Sequence, residues 1–179
     1  MKQFWDHSWE NLDMERLLKY ISYFDTEPDK NMEAFRSWGV KTICDAGCGC
    51  GIYARKLAAY GFQVAGFDIS PRAVEIAGNI LKEAGYHAEL KVFCIQKTEY
   101  TDEQYDGVIC RDVIDHMGKK DGDFLFTEGK WEGMIFHPYN QEDIMELIPD
   151  GAISNIEFGE EIRIELAKPA WQLVMLAFN

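Results

Sequence analysis

Two carboxylates and a run of glycines have the spacing to do chemistry. Asp45-Ala46-Gly47-Cys48-Gly49-Cys50-Gly51 sets a glycine at every second position behind an aspartate. Glycines let a backbone turn sharply and let a ligand approach main-chain N–H groups. Asp68 closes the next apolar run, Phe62-Gln63-Val64-Ala65-Gly66-Phe67. A carboxylate in that place is where a ribose diol is held. The positioning elements follow from pattern. A short apolar run at 40–44, broken by Lys41 and Thr42, enters the glycines, and Ile52, Leu57 and Ala58 at helical spacing leave them. Strand, glycine turn, helix, strand, carboxylate is the start of a nucleotide-type α/β unit.

Two cofactor classes compete for such a unit. Dinucleotide sites favour Gly-x-Gly-x-x-Gly, and here the third glycine comes one residue early. Asp45 precedes the first glycine, and a fixed anion is a poor neighbour for a pyrophosphate. It suits a ligand carrying an ammonium and a sulfonium centre, S-adenosylmethionine. The pair of motifs Asp45-Ala46-Gly47-Cys48-Gly49-Cys50-Gly51 and Gly66-Phe67-Asp68-Ile69-Ser70 resembles the class I S-adenosylmethionine-dependent methyltransferase family, of small-molecule type. The resemblance implies a Rossmann-like doubly wound α/β/α sandwich, a mostly parallel sheet with a C-terminal antiparallel hairpin. It implies S-adenosylmethionine as cofactor and S-adenosylhomocysteine as product. It places Asp45, Ala46, Gly47, Cys48 and Gly49 at the methionine end, Asp68 on the ribose and Ile69 against the adenine. Ordinary core packing is the alternative for Ile69.

The leader opens with Phe4-Trp5-Asp6-His7-Ser8-Trp9 and runs into a helical pattern carrying Leu17, Leu18 and Ile21. Trp5 and Trp9 either line a site, as the family's leaders do when they fold over the cofactor, or pack this segment on the domain. Pro28 breaks the first helix, and a second is expected at 31–38 with Met32, Phe35 and Trp38 on one face, ended by Gly39. The helix after the glycine turn should stop at Gly61, and Ser70-Pro71 is a helix start, serine as N-cap and proline at the first position. A third strand is expected at 88–94 and a fourth at 105–110.

The chain departs from the family at two places. Relatives commonly end the third strand with an Asp that accepts from the adenine amino group, whereas Cys94 stands here, followed by Ile95. A thiol is a weak acceptor, which shifts adenine recognition towards backbone groups or Gln96. After the fourth strand, where Cys110 and Arg111 are placed to touch the methionine part, His116 is a candidate general base or a structural histidine. The family then continues with a helix, a turn and a fifth strand, but here only six residues, 118–123, precede Phe124. Residues 124–127 replace the fifth strand, a second chain fills it, or residues of the natural protein are missing. Glu128, Trp131, His137 and Tyr139 are further acceptor-pocket candidates, in a segment that reads as a hairpin. A short helix is expected at 141–148 and strands at 153–158, 161–166 and 171–178.

Composition bounds the partners. With 18 basic against 31 acidic residues, net charge −13, the surface repels phosphate backbones and argues against nucleic acid as acceptor. No run of about 18 apolar residues predicts a membrane span, and the start lacks a basic-then-apolar leader, which predicts a cytoplasmic protein. The five cysteines, Cys44, Cys48, Cys50, Cys94 and Cys110, miss zinc and iron–sulfur spacings, so no metal is expected. The expected organisation is one domain over 1–179, with a helical leader or lid (1–39), a cofactor-binding core (40–117) and a C-terminal part (118–179). The expected activity is methyl transfer to a small-molecule acceptor. The rivals are an inactive cofactor-binding module or pairing subunit, with a homodimer made more reasonable by the gap, and a NAD-type oxidoreductase.

Overall fold

The computed structural model describes residues 2–26, 28–101, 104–113 and 116, and the backbone of five further strands at 124–125, 135–136, 153–158, 162–166 and 172–176. The expected helix at 141–148 and the candidates Glu128, Trp131, His137 and Tyr139 lie outside these residues.

The leader forms three helices, α1 (Lys2–Glu10), α2 (Met14–Phe24) and α3 (Lys30–Ser37). The aromatic stretch is thus itself helical, and Asp13 separates it from α2 by capping Arg16 N–H at 3.0 Å. Leu17 and Ile21 of α2 are buried with Cys50, Ile76 and Ile80. Burying a leucine or isoleucine side chain stabilises by about 1.5–3 kcal/mol. Asp29 caps α3 through Asn31 N–H at 2.9 Å, and Met32 and Phe35 sink completely into the core. α4 (Ile52–Ala59) holds this leader down. Arg55 pairs with Asp25, and the buried Lys56 donates to the Phe24 carbonyl at 3.0 Å with Asp29 Oδ2 3.9 Å away.

The core unit is β1 (Thr42–Ala46), α4, β2 (Gln63–Asp68), α5 (Pro71–Glu83), β3 (Ala88–Val92) and β4 (Gly107–Arg111). Ser70 Oγ accepts from Ala73 N–H with Pro71 at the first position of α5, as the Ser-Pro pair predicts. Later strands are β5 (Phe124–Leu125), β6 (Ile135–Phe136), β7 (Ile153–Phe158), β8 (Ile162–Leu166) and β9 (Gln172–Leu176). A seven-stranded sheet runs β3-β2-β1-β4-β9-β8-β7, and β5 pairs only with β6 in a second sheet. Pairs from β3 to β9 are parallel, while β8 is antiparallel to both β9 and β7. The place beside β4 belongs to β9, so the reading in which 124–127 replaces the fifth strand is corrected. A two-residue strand offers too few ladder bonds to fill a central position.

Side chains alternate between faces along β1. Ile43 joins Met32, Phe35, Leu57, Val64, Leu81 and Ile109 under α3, α4 and α5. Cys44 and Ala46 face the other way, with Phe67 and Cys110, and are covered by Phe93, Ile95, Tyr100, Tyr105 and Val113. Among the described residues no helix is long and apolar enough to cross a membrane.

Candidate cofactor site

The glycine turn is built on left-handed backbone. Gly47, Gly49 and Gly51 have φ of +76°, +50° and +82°, a region that a Cβ disfavours. Space is short as well: a Cβ on Gly47 would lie 2.3 Å from Val113 Cγ2, and one on Gly51 would lie 2.7 Å from Ala77 Cβ.

The turn's N–H groups point inward, which the sequence did not indicate. Gly47 and Cys48 N–H both donate to the Phe67 carbonyl, at 2.8 and 2.9 Å, and Gly51 N–H donates to the Cys48 carbonyl at 2.9 Å. Gly49 N–H donates to Asp68 Oδ2 at 3.0 Å. The expectation of a ligand meeting free main-chain donors therefore fails at these four positions, because the end of β2 takes three of them and the Cys48 carbonyl takes the fourth. A pyrophosphate would find little to bind here.

A carboxylate remains. Asp45 is only 2 % exposed, and its Oδ2 has no hydrogen-bond partner among the described residues. Burial pushes its pKa up to about 7, an effect opposed by the Ala54 backbone N–H, reinforced by Asp68 and opposed by Arg111. A buried carboxylate oxygen without a donor is unfavourable by itself, and an ammonium would complete it. Arg111 ends β4 with its guanidinium 4.3 Å from the centre of the Tyr53 ring and its Nε 3.7 Å from Asp112 Oδ2. Asp112 itself is left-handed, φ +54°, and turns the chain so that Val113 seats on Gly47.

Asp68 stands at the end of β2, half-buried, with Oδ1 accepting from Ser70 N–H at 2.9 Å. Burial raises its pKa against the backbone donors of Ser70, Gly49 and Ile69. Each carboxylate oxygen can accept a further bond. Ile69 is half-buried beside it. Ala46 is buried on the opposite face. β3 ends at Val92, two residues short of the expected strand. Phe93 N–H still donates to the Asp68 carbonyl, but its ring turns in against Phe67 and Tyr100. Cys94 and Ile95 then lie in a turn closed by Lys97 N–H to the Cys94 carbonyl at 2.8 Å.

Cys44, Cys48 and Cys50 are buried and hold their protons. Burial pushes Cys44 up to about 12 and Cys50 up to about 11, and it raises Cys48 as well. They pack as small apolar groups.

The leader helix α1 packs over the glycine turn through Trp9, within the two roles the sequence left open for Trp5 and Trp9. Trp9 lies 3.1 Å from where a Cβ on Gly49 would be. Asp6 accepts from Ser70 Oγ at 2.5 Å. Trp5 meets the His116 ring edge-on at 5.0 Å. His116 thus meets α1 through Trp5, and its N–H donates to the Val113 carbonyl at 3.0 Å.

Comparison with known proteins fits this arrangement. A family model described as a methyltransferase domain matches residues 43–129. The chain is 33% identical over 114 residues to a ubiquinone biosynthesis O-methyltransferase of Rickettsia felis, covering 62% of this chain and 46% of that protein. These likenesses support a class I S-adenosylmethionine-dependent methyltransferase. It is 34% identical over 102 residues to the chloroplastic magnesium protoporphyrin IX methyltransferase of Arabidopsis thaliana, covering 57% of this chain and 30% of that one. Among solved structures, magnesium protoporphyrin IX methyltransferase from Synechocystis PCC 6803 with bound SAM superposes with a TM-score of 0.56 at 20% identity, over 80% of this chain and 71% of that one. The last likeness shows the fold. The chain spans less than half the length of these two curated relatives.

Proposed function

We propose that this chain binds S-adenosylmethionine and transfers its methyl group to a small-molecule acceptor, releasing S-adenosylhomocysteine. The observation that carries the reading is Asp45. A buried carboxylate oxygen with no donor, under a turn whose N–H groups are engaged, fits an ammonium and rejects a phosphate. That favours a methionine zwitterion over a dinucleotide.

The residues then divide the work. Asp45 takes the ammonium and Arg111, close enough to act on Asp45 electrostatically, takes the carboxylate. Gly47, Cys48 and Gly49 run beside the methionine end, with Val113 and Trp9 packed on the two glycines. Asp68 accepts the ribose hydroxyls on the lone pairs that Gly49 and Ser70 leave open. Ile69, Cys94 and Ile95 bound the adenine in this reading. The bound group supplies an electrophilic methyl: an acceptor lone pair forms the new bond, the C–S electron pair returns to sulfur, and a hydroxyl acceptor gives up one proton. In this reading His116 receives that proton. The remaining contribution of the chain is alignment and exclusion of water. The relatives are named as O-methyltransferases or methylate a porphyrin, which supports an oxygen acceptor.

Calorimetric titration with S-adenosylhomocysteine tests the cofactor half. Micromolar binding that is lost in Asp68→Ala is the expected result. No binding by the intact chain, or equal binding by the variant, refutes it.

A further inference from the structure

Strand alternation puts three groups together at the carboxyl end of the sheet. Asp45 comes two residues after Ile43 on β1, and Arg111 two after Ile109 on β4. Each side chain is therefore on the face that Ile43 and Ile109 turn to the core under α4. The parallel register pairs Ala46 with Cys110, so Arg111 comes one step later, where β1 gives way to the glycine turn. Tyr53, in the first turn of α4, packs on the same core cluster, and the Arg111 guanidinium carbon lies 4.3 Å from the centre of its ring. That ring is itself backed. Phe24, the last residue of α2, meets it at 5.0 Å with 60° between planes. Lys56, one turn further along α4, fixes Phe24 through its carbonyl at 3.0 Å and its ring face at 3.9 Å. The Asp112 contact gives Arg111 less direction: Oδ2 is 3.7 Å from Nε, on a side chain 52 % exposed, which is long for a hydrogen bond and open to solvent screening.

We propose that Tyr53 is a positioning residue for cofactor binding: its ring fixes the plane of the Arg111 guanidinium so that the edge of that group meets the carboxylate of the methionine end. This rests on the methyl-transfer reading above, in which Asp45 takes the ammonium and Arg111 the carboxylate. Stacking occupies the face of a guanidinium. A carboxylate is bound along its edge, by two parallel N–H donors, so the two contacts do not compete. Asp45 and Arg111, on one face of adjacent strands, give the two charges of an amino acid an opposite partner each. A long arginine side chain loses rotamer freedom when it is fixed, and ordering it beforehand removes that cost from binding. A lysine would offer no plane to stack. The leader takes part through Phe24, which holds the Tyr53 ring from behind.

The test is calorimetry on the full chain with two ligands, S-adenosylhomocysteine and S-adenosyl-3-thiopropylamine. The second keeps the ammonium, the thioether and the nucleoside but has no carboxylate. The variants are Tyr53→Phe, which keeps a ring, and Tyr53→Leu and Tyr53→Met, which keep apolar bulk and helix propensity without a π face. The unaltered chain should bind S-adenosylhomocysteine about tenfold or more tighter than the amine. Tyr53→Leu and Tyr53→Met should each weaken S-adenosylhomocysteine by about fivefold or more and leave the amine within about twofold, while Tyr53→Phe should leave both within about twofold. Both ligands are read on the same variant, so a general loosening of the fold moves them together. Equal weakening of the two ligands in the apolar variants, no weakening of either, or equal affinity of the unaltered chain for both overturns the proposal while leaving cofactor binding standing. Failure of the unaltered chain to bind S-adenosylhomocysteine at all removes the reading beneath it as well.

Discussion

Replacing Asp45 by Asn should make the protein more stable and less able to bind its cofactor, with a pH dependence that identifies the cause. The Asp45 carboxyl is raised from 3.8 to about 7, chiefly by burial. About three pH units at 1.36 kcal/mol each is a handicap of about 4 kcal/mol for the ionised folded state. The sign follows from where the proton sits. A carboxyl with a raised folded pKa stabilises when protonated, so its contribution is complete below about pH 4. It is lost as pH rises through about 7. Asparagine keeps an acceptor for the Ala54 N–H and carries no charge, but leaves an amide N–H2 to be satisfied, at about 1–2 kcal/mol. That last penalty does not depend on pH. The stability difference between Asp45→Asn and the unaltered chain should therefore grow in favour of the variant by about 3 kcal/mol between pH 5 and pH 8, read as urea midpoints with unchanged slopes. S-adenosylhomocysteine affinity should fall at least tenfold in the variant at pH 8. A stability difference that stays flat from pH 5 to pH 8 would refute the reasoning, since it would mean that Asp45 is not held protonated by burial.

Three further outcomes are expected. Gly51→Ala forces a Cβ to within 2.9 Å of the Ala77 backbone and should destabilise by about 2–4 kcal/mol. Gly61→Ala, equally left-handed but with nothing within 4 Å, should lose only the conformational part, about 1–2 kcal/mol, and equal losses in chemical denaturation would refute the packing term. Lys56→Met removes the donor to the Phe24 carbonyl and the buried partner of Asp29; a loss of about 1–3 kcal/mol and faster proteolysis around residues 24–30 should follow, and unchanged proteolysis would show that α4 does not anchor the leader. Asp106 accepts from Lys41 and Thr42 N–H, which with its other contacts lowers its pKa, Thr42 first. Its contribution is present above about pH 4 and lost in more acid solution, so Asp106→Asn should lose about 1 kcal/mol at pH 7, discounted for exposure, and nothing at pH 2.

What could be read from sequence was local. Ser70-Pro71 starts α5, Gly61 follows α4 and Asp68 ends β2 because capping, left-handed turns and strand ends are decided within a few residues. Met32 and Phe35 were legible from helical spacing alone. The sheet order was not, since the pairing of β9 with β4 joins residues more than sixty positions apart, and nothing local encodes it. β3 ends at Val92 although Phe93 N–H still reaches the Asp68 carbonyl, and the Phe93 ring packs on Phe67 and Tyr100, contacts that the alternating pattern does not encode. The role of the glycines was half visible. Their need for left-handed backbone was in the sequence, but the direction of the Gly47 and Gly49 N–H groups depends on the Phe67 carbonyl and the Asp68 carboxylate at the end of the neighbouring strand. Trp5 and His116 meet across 111 residues of chain, and only the fold brings them together.

The direction of those N–H groups also bears on turnover. A turn that offers amide donors holds an anion whatever its reaction state. A turn that withholds them, above a buried carboxylate and beside Asp6, Asp68 and Asp112, responds instead to positive charge. In the proposed reaction the sulfonium becomes a neutral thioether while the ammonium stays. Asp45 keeps its partner through the reaction, so the methionine end remains located. The rim carboxylates lose an attraction at the moment the methyl leaves. An acidic rim of this kind favours the charged reactant over its neutral-sulfur product, so in the proposed reaction the cofactor should bind more tightly than the product it becomes.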